Sequence, residues 1–229
     1  MCTWNKNVNK IITKFKDNNI IVCDVNLLRK KINYRVKYLF ENTTDGSLNF
    51  SKKYVMFVKW GKGFKFCIVI GQNPVKTEVY ENQVFQLDAT NWNILNILKK
   101  KRYSGFIMVN TFPVIDSNGK GISSIDKDNI NISIFNFIVS TFSKLNIFLA
   151  CTKTNFVAND FISNLKKSYP KKVKVFKIKD GKIMAHFASQ AFGGRYGYGK
   201  RDELEVDVVD FKINVKSVNI SNNICKVNY

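Results

Sequence analysis

Acidic side chains are scarce in this 229-residue chain: 17 Asp and Glu stand against 37 Lys and Arg, a formal net charge of +20. The lysines and arginines recur along the whole length, so a polyanion is the expected partner, nucleic acid first. Paired cysteines are lacking too. Cys2, Cys23, Cys67, Cys151 and Cys225 are odd in number, scattered and never in a C-x-x-C arrangement, which excludes a disulfide framework or a zinc ribbon. The expectation is a reduced, cytoplasmic setting with no metal, and Cys67 and Cys151, inside apolar runs, read as small buried hydrophobes. No apolar run approaches the roughly 18 residues of a membrane span. The opening MCTWNKNVNK lacks a charged segment followed by an apolar one, so neither leader nor membrane association is expected. There are no internal repeats, and histidine occurs once, at His186.

What is present fits one globular core, with 45% hydrophobic and 24% charged residues. Residues 1–33 read as an N-terminal helix or arm packing on the core, 34–200 as the main α/β domain, and 201–229 as a C-terminal strand extension. YRVKYLFE and KKYVMFVKW suggest antiparallel edge strands joined by a turn at Asp45 and Gly46. After a second turn at Trp60 to Gly63, FKFCIVIG reads as a strand buried on both faces.

Helices and strands then alternate. In DATNWNILNILKKK, Trp92, Leu95 and Leu98 recur at helical spacing, Asp88 or Thr90 can cap the start, and lysines crowd the end, where the helix dipole favours cations. GFIMVN is the next strand. DKDNINISIFNFIVSTFSKL places Ile130, Ile134, Phe137, Ile138 and Thr141 on one helical face. NIFLACT, a helix through Val157, Phe161 and Leu165, and the strand KVKVFKI complete the series. Such alternation implies parallel βαβ units, hence a three-layer α/β/α sandwich with a central, mostly parallel four-stranded sheet and added antiparallel edge strands.

In an open parallel sheet the ligand crevice lies beyond the carboxyl ends of the strands. Four strand-like runs here lead straight into polar loops, which would bring Gln72, Asn73, Asn110 and His186 to one site. AFGGRYGYGKRD adds close backbone approach at its glycines, with cationic and stacking groups at Arg195, Tyr196, Tyr198, Lys200 and Arg201. Simpler roles stand beside these: Asn-Pro after a strand is an ordinary turn, Asn110 can cap the next segment, and His186 can be a half-buried structural imidazole.

The order strand-GQNP, strand-VNTFPV, then a late H-x-x-S loop resembles the uracil-DNA glycosylase superfamily. It is also similar to an uncharacterised bacterial family, domain of unknown function 1643. That family is marked by an Asn-Pro loop, an Asp-x-Thr (Asp88, Ala89, Thr90), a Val-Asn strand end and a late Asp-Gly…His segment (Asp180, Gly181, His186). The likeness spans roughly 34–195. It implies that Gly71 and Gln72 shape a base pocket, Asn73 orients the attacking water, and Phe85 stacks on the base. Asn110 would read the edge of an extruded pyrimidine, and His186 would contact the base oxygen on which charge develops. Gln190 or Phe192 would fill the gap left in the duplex.

The departures carry meaning. Asn73 stands for the Asp of the most active glycosylases and cannot accept a proton, so slow turnover is expected. Val75 stands where a Tyr excludes the thymine methyl, and Phe187, Ala188 and Ser189 replace the Pro-Ser-Pro of the late loop. The implied function is DNA binding with hydrolysis of the N-glycosidic bond of a flipped uracil-like, mismatched or modified base, by a monomer needing no cofactor. The alternatives are a non-catalytic nucleic-acid-binding module that keeps the pocket and basic surface and, ranked last, a hydrolase of free nucleosides or nucleotides.

Overall fold

The computed structural model describes residues 2–41, 52–71, 87–115, 128–150, 153–154, 173–178, 183–184, 206–210, 218–221 and 224–227. Among these, a mixed α/β fold is built on one large sheet and three helices.

The chain begins with helix α1 (Cys2–Phe15). Trp4, Val8, Ile11 and Phe15, three or four residues apart, form its buried stripe. Strands β1 (Ile20–Arg29) and β2 (Ile32–Glu41) follow as a hairpin closed by Lys30 and Lys31. The first 33 residues thus supply a sheet strand as well as a helix, and β1 rather than β2 forms this edge of the sheet. One face of β1 meets solvent, and its exposure alternates accordingly.

Strand β3 (Lys53–Trp60) pairs antiparallel with β2. After it come β4 (Phe66–Gly71), α2 (Ala89–Lys100), β5 (Gly105–Asn110), α3 (Asn129–Thr141) and β6 (Asn146–Ala150). The two-residue β7 (Lys153–Thr154) precedes β8 (Val173–Ile178), β9 (Ile183–Met184) and β10 (Val206–Asp210). The main sheet has the order β1-β2-β3-β5-β4-β6-β8-β10, with β9 also pairing on β8. Most of its ladders are antiparallel, whereas β5/β4, β4/β6 and β6/β8 are parallel. Strands β11 (Val218–Ser221) and β12 (Ile224–Val227) form a separate three-stranded sheet with β7.

Apolar side chains gather in two clusters. One joins Trp92, Leu95 and Leu98 of α2 to alternate residues of the sheet, among them Val69 and Met108; the other joins α1 and α3 to residues of opposite parity such as Ile68 and Ile107. Strand β4 is almost wholly buried because side chains of both parities find cover. On α2, the Arg29 guanidinium lies 4.6 Å from the Trp92 ring centroid and donates to the Leu87 carbonyl, tying the β1 hairpin to the start of the helix.

The buried face of α3 differs from the expected one. Asn131, Ile134, Phe135, Ile138 and Val139 are buried, whereas Ile130, Phe137 and Thr141 are only partly so. The exposed residues Asn129, Ser133, Asn136 and Ser140 recur at helical spacing and form the solvent face, so the buried stripe lies opposite them, rotated from the expected one. The turn expected at Asp45 and Gly46 and the helix expected through Val157, Phe161 and Leu165 lie outside the described residues. No helix among the described residues is long and apolar enough to cross a membrane.

The β1–β2 turn generates a prediction. Lys30 and Lys31 have φ values of 47° and 62°, both left-handed, closing a two-residue loop of the kind that favours Asn-Gly. Replacing both (Lys30→Asn with Lys31→Gly) is expected to raise the unfolding free energy by about 1 kcal/mol, read from urea melts. Unchanged or lower stability would show that these lysines carry no conformational strain.

Candidate functional site

The carboxyl ends of the parallel strands are set by hydrogen bonding. In the ladder register Gly71 stands beside Asn110 of β5 on one side and Ala150 of β6 on the other, and Thr111 N–H donates to the Gly71 carbonyl at 2.9 Å. A Cβ at position 71 would lie 2.6 Å from Asn110 Oδ1 and 3.0 Å from Met108 Sδ. The missing side chain is what lets the Asn110 amide lie across the end of β4. Asn110 is only 5% exposed.

On the α2 side of this edge, two charged groups flank the amide end of the sheet. Asp88 caps α2, accepting from Asn91 N at 2.8 Å and from Asn91 Nδ2 at 2.7 Å. β3 runs opposite to β5, so its first residue, Lys53, falls at the same edge. Its backbone N–H donates to the Pro113 carbonyl at 2.8 Å, and its ammonium lies 5.8 Å from the Tyr38 ring centroid. Lys53 is 3% exposed. Burial lowers its pKa, and the Asp88 carboxylate offsets part of that effect.

On the α3 side, Asp128 caps the helix, accepting from Asn131 N at 2.8 Å. Asn131 Nδ2 reaches back to the carbonyls of Asn110, at 3.0 Å, and Thr111, at 3.2 Å, pinning the turn that leaves β5. Lys52 bridges Glu41 at 3.0 Å and Asp128 at 3.2 Å. Burial acts to lower its pKa, but the hydrogen bond to Glu41, with the charge of Asp128 and the Tyr54 hydroxyl, holds it above the ordinary lysine value. The Tyr54 hydroxyl is pushed up to about 12, by burial first and then by Asp128. Both helices therefore open with the same pattern, Asp-x-x-Asn, at one edge of the sheet.

Of the site residues read from the sequence, Gly71 and Asn110 are brought together. Gln72, Asn73, Phe85, His186, Gln190, Phe192, Arg195, Tyr196, Tyr198, Lys200 and Arg201 lie outside the described residues. Among the described residues, no group of three His, Cys, Asp or Glu side chains comes together that could hold a metal. Cys67 is buried, and its thiol is pushed well above the usual value by desolvation, which keeps it an uncharged packing group. Sequence reasoning missed Lys53, Lys52, Asn91 and Asn131. The repeated Asp-x-x-Asn was the available signal; nothing local marked the two lysines.

Fold and edge together define a mixed α/β protein whose polar groups collect where neighbouring parallel strands end. Residues 53–183 match the family described as "Protein of unknown function (DUF1643)", and since this is more than half of the chain, the protein belongs to that family. The matched stretch opens at Lys53 and contains Gly71, Asp88, Asn110 and Asp128. No curated protein and no solved structure matches the chain.

Lys53 sets a pH dependence. An unfolded lysine loses its proton near pH 10.4, roughly, and the buried one does so at lower pH. Between those two values the unfolded chain binds the extra proton, so stability rises with pH in the window just below about 10.4. In Lys53→Met this rise is expected to vanish, and the variant gains stability over the wild type chiefly at neutral pH. Urea melts of both proteins across that range check it; parallel curves would remove the desolvation argument.

Proposed function

We propose that this protein binds DNA and hydrolyses the N-glycosidic bond of a base extruded into the crevice at the carboxyl ends of β4 and β5, in the manner of the uracil-DNA glycosylases. The observation that carries this reading is the Asn110 amide, 5% exposed and held over Gly71 at the carboxyl ends of β4 and β5. An amide offers both a donor and an acceptor, which reading one pyrimidine edge against another requires.

The architecture that goes with this reading is a three-layer α/β/α sandwich around the four strands β5, β4, β6 and β8. Extrusion of a base costs a few kcal/mol and must be offset by stacking, edge hydrogen bonds and phosphate contacts. In this scheme Phe85 stacks, Gln72 and Gly71 shape the pocket, and Gln190 or Phe192 fills the duplex. Arg195, Tyr196, Tyr198, Lys200 and Arg201 follow the backbone. The bond between the sugar C1′ and the base nitrogen breaks with its electron pair leaving on the base; water adds to C1′ and releases a proton. Asn73 positions that water without accepting the proton, and His186 stabilises the departing base anion. The protein acts as a monomer in the cytoplasm and requires no cofactor.

Oligonucleotides containing uracil, mismatched thymine or modified cytosine, in single and double strands, are expected to yield abasic sites. His186→Ala should slow this about a hundredfold, the usual cost of removing one preorganised donor. Asn73→Ala and Gly71→Ala should also reduce product, the latter by displacing the Asn110 amide. Tight, strongly salt-dependent binding with no abasic product from any substrate would instead select a non-catalytic binding module.

A further inference from the structure

At the opposite edge of the sheet, where β4 and β5 begin, α1, the end of β3 and the end of α3 enclose a pocket of about 360 Å³. That volume falls within the range of small-molecule sites, roughly 300–1,000 Å³. Its apolar wall is aromatic. Trp4 and Phe66 stack with ring centroids 4.0 Å apart and 16° between planes, and Phe64 stands at the pocket with 72% of its surface exposed and no aromatic partner among the described residues. Its polar wall is cationic. Lys59, Lys62 and Lys144 line it, none of them in an ion pair with a described residue, and no acidic side chain is among the described lining residues. The carbonyl end of α3 adds a partial negative charge of about one half; three ammonium groups outweigh it.

We infer that this pocket binds a nucleobase carrying a phosphate, the base against the Phe64 and Trp4–Phe66 rings and the phosphate on the lysines. A large, exposed, unpartnered aromatic is unfavourable in water, and every nucleobase has a π-face to stack on it. Positive charge without counter-charge beside that platform matches the remainder of a nucleotide and gives an apolar ligand no advantage. The same chemistry is offered by a free nucleotide and by a nucleotide within a single strand. The site is separate from the base site proposed at Gly71 and Asn110, and it does not depend on any reaction there.

The test is quenching of tryptophan fluorescence on titration with dAMP and with an oligodeoxyadenylate, followed by repetition in variants. Saturable quenching is expected with both; saturation by dAMP alone assigns a free nucleotide as ligand, and by the oligonucleotide alone assigns a single strand. Phe64→Ala, an exposed position whose loss leaves the core intact, should weaken binding about tenfold, the scale of one base-stacking contact. Lys62→Glu with Lys144→Glu should weaken it further and flatten its salt dependence. Adenosine, without phosphate, should bind more weakly than dAMP. Asn110→Ala, at the other edge, should leave quenching unchanged. The inference is overturned by no saturable quenching with either ligand, by quenching indifferent to Phe64→Ala, or by quenching that Asn110→Ala abolishes.

Discussion

The parallel ladder between β4 and β5 fixes the register that sets Gly71 beside Asn110, and the site at this edge follows from that pairing. Because side chains of both parities on β4 are covered, a slip of one residue would exchange the apolar sets of the two clusters and turn the polar strand ends into the interior. The register is therefore held by burial as well as by hydrogen bonds. Glycine at position 71 is the local consequence: the strand end must approach the amide more closely than any side chain would permit.

Around that edge the charges are arranged in two unequal ways. On the α3 side Lys52 sits between Glu41 and Asp128, its charge compensated by direct ion pairs. On the α2 side Lys53, the adjacent residue, points to the other face, and Asp88 acts on it only in part. An irregularity in the β2–β3 ladder, where Leu39 opposes Val55 and Phe40 opposes Lys53, lies beside this pair. Neighbouring lysines thus experience opposite shifts, one raised by partners and one lowered by desolvation.

Much of the secondary structure was legible because it rests on short-range signals. Asp88 caps α2 as its position before a helical period suggests, and FCIVIG and GFIMVN are buried strands as their unbroken apolar runs suggest. The stripe of α3 is rotated from the expected one: Asn129, Ser133, Asn136 and Ser140 mark the solvent face, so Phe135 and Val139 are buried while Ile130 and Phe137 pack at the margin of the core. Within the site, the end of β5 was legible at Asn110. Lys53 was not, since a lysine at the first position of a strand reads as solvated until a neighbouring element covers it.

The chain by itself determined the helical and strand periods of its segments, the Asp88 cap, the excess of positive charge and the placing of polar residues after apolar runs, mostly consequences of neighbours within a few positions. Only the tertiary structure decided that β5 lies between β3 and β4, that Gly71 faces Asn110, that Lys53 is buried near Asp88, and that Trp4 meets Phe66 across 62 residues of chain. Such contacts join residues distant in sequence, and their selection depends on which faces bury each other best, a competition that no local pattern records.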